Sequence, residues 1–278
     1  MGVNTFAVEF DIERNVFKRL LEFSVSIYNL SETVLSSLTR YYSNRNAETL
    51  TRDKIKVQVG RSPQVDNTWS NLVEGEIYYV SSQKEGGDVI TNFSCSNFSQ
   101  AFQKRNINKT YNGGTYVPNA LNDLSPNYII VDERLNSSVL AKNYVFTETA
   151  QKAVNTIAKD EGLIFENTRT FKQRVSFADY IPNKPPRTNI FELSKSSGLV
   201  SYPIRNGGSF YEVESLFNPL LEIGEWVNIK TVTGYFKEAK DCLITKIAHS
   251  WQDTSASTSL TVDPEGRGRD VVTVGGLR

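Results

Sequence analysis

The chain has 278 residues, 39% of them hydrophobic and 22% charged, which suits two or three folded domains and excludes a disordered chain. Lys plus Arg equals Asp plus Glu at 31 each, so no global basic field exists to draw nucleic acid. Two cysteines, Cys95 and Cys242, lie far apart and outside any CxxC spacing; they make no disulfide framework, fit a reducing folding compartment, and leave their pairing open.

Met1 to Phe6 shows no signal-peptide pattern, and no apolar run approaches the ~20 residues of a membrane-spanning helix, so no membrane anchoring is expected. The Asn-x-Ser/Thr triplets at Asn29, Asn92, Asn97, Asn108 and Asn136 then read as a consequence of Asn-rich and Ser-rich composition.

Glu22 to Ile27 alternates strictly, with Phe23, Val25 and Ile27 on one face, and predicts a strand. Ser31 can cap a short helix ending near Tyr42, with Val34, Leu35 and Leu38 as its buried stripe. Lys54–Val59 and Glu74–Val80 alternate again. Gly86-Gly87 makes a hairpin turn into a returning strand over Val89–Ser96. These elements predict a small β-barrel with one helix over residues 1–105. The middle, 106–181, reads as an α+β insert. A turn cluster at Asn108–Thr115 precedes a helix with Pro118 in its first turn. A strand at Tyr128–Val131 follows, then a second helix capped by Thr147 and ended by Gly162, then strands at Leu163–Phe165 and Arg174–Phe177.

Pro182 to Arg187 breaks regular structure and marks a linker. Beyond it, Phe210–Glu214, Trp226–Lys230, Tyr235–Ala239, Cys242–Trp251 and Ser257–Val262 read as consecutive strands of a second barrel, 182–264. Residues 265–278 read as an extended tail. The fold class expected is mainly β, two small barrels flanking a helix–strand insert.

No reaction chemistry stands out. His249 is alone, inside a strand pattern, with no ligand-spaced partner for a metal. No nucleophile elbow surrounds a serine, and no glycine pair forms a GxGxxG or Walker loop. The carboxylates alternate along strands as a solvated face requires. No catalytic, cofactor-binding or metal-binding residue is assigned, and no enzyme activity is expected.

Three stretches, taken in order, resemble the tail hub family of bacteriophages. They are Ser197-Gly198-Leu199-Val200-Ser201-Tyr202-Pro203, then Ser215 to Val227 with Asn218-Pro219 and Ile223-Gly224, then Cys242 to His249. Phe10-Asp11-Ile12-Glu13 and Val25 to Ser31 resemble it as well, and the chain is similar to short baseplate hubs of the late-control-D type. The resemblance implies a homotrimer whose six tail-tube-like barrels match a hexameric tube above and a trimeric spike below. It implies a structural role in the virion tail tip or baseplate, assembled in the host bacterial cytoplasm, with genome DNA passing through the channel only in transit. Partners would be the tail tube or distal tail protein, the spike and other baseplate proteins. Tyr41, Tyr42, Tyr78, Tyr79, Tyr211 and Trp226 are candidate contact aromatics, though for any single one packing in its own barrel core is the stronger expectation. The rival functions are a hub with cell-wall-degrading activity and a host-surface binding module.

Overall fold

The computed structural model describes residues 7–15, 21–43, 53–60, 69–97, 104–125, 129–169, 173–177, 189–206, 208–252, 255–264 and 266. The Pro182–Arg187 break, Tyr128, the tail beyond Gly266 and the side chains of Tyr41 and Tyr42 lie outside this set.

Strands dominate, as expected. β1 (Val8–Asn15), β2 (Glu22–Tyr28), β3 (Lys54–Gly60), β4 (Trp69–Glu85) and β5 (Asp88–Ser96) come first, with helix α1 (Glu32–Ser43) after β2. β11 (Phe191–Leu193), β12 (Ile204–Arg205), β13 (Tyr211–Leu216), β14 (Trp226–Ile229), β15 (Lys240–Gln252) and β16 (Ser255–Asp263) come last. All eleven belong to one sheet, ordered β12-β13-β16-β15-β1-β2-β5-β4-β3, with β14 also on β15 and β11 on β14. The two β regions expected as separate barrels are thus joined by the antiparallel pairing of β1 with β15, Phe10 to Trp251 through Asn15 to Lys246. No sheet closes on itself among the described strands.

The strict alternation read from sequence sets this sheet's two faces. Phe10, Ile12, Phe23, Val25, Val57, Ile77 and Phe93 point into one apolar cluster. Val213, Val227, Ile229, Ile244, Ile247 and Leu260 point into a second. Gly86, at φ 60°, makes the two-residue turn between β4 and β5. Gly75 is required by packing, since a Cβ there would sit 2.6 Å from the Phe23 ring.

Between the two β regions, the insert has its own apolar cluster, running from Tyr111 to Val175. It contains β6 (Lys109–Tyr111), α2 (Val117–Leu124), β7 (Ile129–Val131), a 3-10 turn (Glu133–Leu135), β8 (Tyr144–Phe146), α3 (Ala150–Asp160), β9 (Leu163–Asn167) and β10 (Gln173–Phe177). β7-β10-β9 form one small sheet and β6-β8 another. Pro118 sits in the first turn of α2, where its missing N–H costs no helical bond.

Several local expectations are corrected. The cap of α3 is Thr149, whose hydroxyl accepts from Lys152 N, because Phe146 pairs with Lys109 in β8 and delays the helix. In α1, Val34 is exposed and Leu35 and Leu38 are half-buried, because the helix lies on β4 by one flank. Tyr235 to Ala239 forms turns, with Lys237 N donating to Gly234 O. Phe236 buries there against Tyr211, which also stacks on Tyr235, so aromatic packing imitates a strand's apolar signal. Lys109–Tyr111, placed within a turn cluster by its Asn and Gly neighbours, is a short strand. The strands at Phe191–Leu193 and Ile204–Arg205 were not expected; each is too short to show a period.

Candidate functional site

β1 carries Phe10, Ile12 and Arg14 at alternating positions on its inner face. Arg14 is wholly buried, at a position where the strand period calls for an apolar residue. Over this face runs the segment between β13 and β14, Phe217-Asn218-Pro219-Leu220-Leu221-Glu222-Ile223-Gly224-Glu225. Phe217 packs edge-on against Phe10 and Trp251, at 6.3 and 5.6 Å between ring centroids, and tilts over His249 at 5.5 Å. Asn218 N donates to Thr258 Oγ1 at 2.9 Å, and Asn218 Oδ1 accepts from Leu220 N, closing the turn at Pro219. Gly224, at φ 80°, returns the chain so that Gly224 N donates to Ile244 O and Glu225 O accepts from Ile244 N.

This path sets Glu222 between two arginines. Arg14 Nη1 donates to one carboxylate oxygen and Arg169 Nε to the other. Arg169 comes from the insert, just past β9. Its Nη2 also donates to Leu221 O at 2.9 Å, and its own carbonyl accepts from Asn71 Nδ2 of β4 at 3.1 Å. One carboxylate therefore joins the N-terminal strands, the insert and the C-terminal strands. Burial lowers the pKa of Arg14, and Glu222 opposes that shift. Burial, then the nearby Glu222 charge, raises the pKa of Glu225. His249, also wholly buried, has its pKa pushed down to about 3, first by burial and then by Arg14 and Arg169. It is neutral, with Nδ1 on Thr258 Oγ1 at 3.0 Å.

At this junction one carboxylate faces two guanidinium groups, and the buried imidazole has the Thr258 hydroxyl as its hydrogen-bond partner. Among the described residues no three His, Cys, Asp or Glu side chains gather as a metal site. Sequence reasoning placed His249 in a strand but missed Arg14, Arg169 and Glu222. The available signal was the single charge at an inward β1 position.

The opposite face of the sheet is different in kind. One row across it runs Ser257, Ser250, Asp11, Ser24, Ser94. Another runs Glu214, Ser259, Ala248, Glu13. Glu9, Glu22 and Glu212 share that face, and Lys246 reaches Glu13 at 2.9 Å. Among the described residues, Glu76, Asp241 and Asp263 depart from the expected solvated alternation, since they are buried. Of the candidate contact aromatics, Tyr79 is 50% exposed, Tyr78, Tyr211 and Trp226 are half-buried, and Trp226 lies against Gly266. Cys95 and Cys242 are both buried thiols and form no disulfide, which answers the pairing left open by the sequence.

No protein-family model matches the chain, and no curated protein matches it. Solved structures do. The 43 kDa tail protein of prophage MuSo2 from Shewanella oneidensis superposes with a TM-score of 0.59 at 10% identity, covering 93% of each chain. A tail protein from Neisseria meningitidis gives 0.59 at 13% identity, over 95% of this chain and 98% of that one. An E. coli component of the type VI secretion system, described as structurally similar to the T4 bacteriophage tail proteins gp27 and gp5, gives 0.55 at 12% identity, over 94% and 74%. At these identities the likeness is one of fold, and it spans nearly the whole chain.

Proposed function

We propose that this chain is the structural, non-enzymatic hub of a bacteriophage tail. Three copies would form a symmetry adapter at the tail tip or baseplate, joining a hexameric tail tube to a trimeric spike around the DNA channel. Residues 1–105 and 182–264 would act as two tail-tube-like barrels, with 106–181 as the insert between them and 265–278 as a tail reaching a partner. The observation that carries this reading is the whole-chain likeness of fold to tail proteins from two bacteria.

Two features of the surface support it. The hydroxyl and carboxylate face across β13, β16, β15, β1, β2 and β5 has short side chains and few apolar ones, which is poor chemistry for a protein interface. It suits the wall of an aqueous passage that does not hold phosphates. At one margin of the same sheet, Val200, Tyr202 and Val232 are more than half exposed around an open groove of about 650 Å³. Apolar exposure of this kind is what neighbouring copies cover in a ring.

The test is the mass and symmetry of the purified chain, alone and with tube and spike proteins. The expected result is three times the 31.3 kDa protomer, with a three-fold ring and central channel in images. A chain that remains single in the presence of both partners refutes the hub. A clearing band on a peptidoglycan gel overturns the non-enzymatic assignment, and saturable binding of the isolated chain to host cells favours a receptor-binding module.

A further inference from the structure

Glu222 serves two arginines of unequal standing. The Arg14 side chain is 0% exposed, whereas those of Arg169 and Glu222 are 23% and 25% exposed. Breaking the Arg14 contact would leave a guanidinium buried without its counter-charge, which is expensive. The Arg169 contact lies at the border with solvent, where water replaces a lost partner and salt screens the pair.

The insert that carries Arg169 builds its core from its own residues. Its apolar cluster is separate from both clusters of the large sheet. Arg169 reaches the sheet region through polar groups: Glu222, the carbonyls of Leu220 and Leu221, and Asn71. That contact is imperfectly satisfied, since Asn71 Oδ1 is buried without a hydrogen-bond partner.

We propose that Arg169 and Glu222 form a releasable clasp. The insert docks on the large sheet through it and undocks when it opens. Arg14 keeps Glu222 in both states, so the Phe217–Glu225 segment stays seated over His249 while the insert moves. Undocking leaves Arg169 hydrated and Glu222 still paired, and neither state strands a buried charge. The asymmetry of exposure makes one arginine permanent and the other detachable.

Distance measurement between spin labels on the full chain tests this. Lys152 on α3 and Ser259 on β16 are exposed and accept labels after Lys152→Cys and Ser259→Cys substitution. The native thiols are buried, and the unsubstituted chain controls for their labelling. At low salt one distance is expected to dominate. A second, longer population is expected to grow several-fold at about 1 M salt, where the Debye length is about 3 Å. Arg169→Ala is expected to produce the longer population at low salt, with the sheet's unfolding midpoint retained. That midpoint is read from Trp69, Trp226 and Trp251, since the insert holds no tryptophan. An unchanged distance distribution in Arg169→Ala overturns the clasp. So does a loss of sheet stability equal to that of Glu222→Gln, which would make Arg169 a fixed strut.

Discussion

Replacing Glu222 with glutamine keeps the shape of the junction and removes the charge that both arginines share. Arg14 is wholly buried and two of its nitrogens, Nε and Nη2, have no hydrogen-bond partner, so Glu222 is the anion that bonds it and Glu225 acts on it only through its field. Removing one member of a buried pair costs about 3–5 kcal/mol. Glu222 is a quarter exposed and water recovers part of that, so about 2–4 kcal/mol is expected for Glu222→Gln. At about 2–4 °C per kcal/mol, the midpoint falls by roughly 5–15 °C. Arg14→Met removes the cation and leaves Glu222 with Arg169, which is the milder change. The pair Arg14→Met with Glu222→Gln leaves no buried charge at the strand and should be less destabilised than Glu222→Gln alone. Urea unfolding followed by tryptophan fluorescence gives all corners of the cycle, with a coupling of about 1.5 kcal/mol or more expected. If the two single costs simply add, the shared carboxylate is not what holds the junction, and the reasoning fails.

Other outcomes follow from the same geometry. His249 has a folded pKa of about 3 against an ordinary value of 6.5, so the unfolded chain takes up this proton first as pH falls. Its contribution is complete above about pH 6.5 and is lost progressively toward pH 3, by up to about 1.4 kcal/mol per pH unit. Glu225, with a raised pKa, acts in the opposite sense, so urea midpoints between pH 7 and 5 are compared with and without the imidazole. His249→Leu should flatten that slope; an unchanged slope assigns it to another group. Gly75→Ala drives a methyl against Phe23 and should cost about 1–3 kcal/mol by thermal melting, with Gly87→Ala, at an open turn, as the mild control. Burial pushes the Cys95 thiol up to about 12, so a thiol reagent at pH 8 should react slowly until urea is added. Fast reaction of the folded chain would place Cys95 nearer solvent than the core.

How much of this was legible in advance depended on the range of the interaction. Alternation in Glu22–Tyr28 and Lys54–Gly60, the Gly86 turn and the Gly162 helix end depend on neighbours in sequence, and each appears where the residues predict it. Tyr235–Phe236 misled because its apolar character answers to Tyr211, a distant residue on β13. Thr147 lost its cap to Thr149 because β6 claims Phe146. The junction was hidden for the same reason: Arg14 and Glu222 are 208 residues apart and meet only when β1 adds to β15.

By itself, then, the sequence determined the strand-rich class, the inward and outward faces of most strands and the helical character of the middle. Periodicity and turn chemistry are local, and burial on one side of a strand is enough to write them. Tertiary structure decided that the two β regions share a sheet and that the Asn218-Pro219 to Ile223-Gly224 stretch is a strap across it. It also decided that a lone inward arginine has a carboxylate waiting. Those outcomes rest on the pairing of distant strands and on desolvated charge, which act between residues that the order of the chain does not bring together.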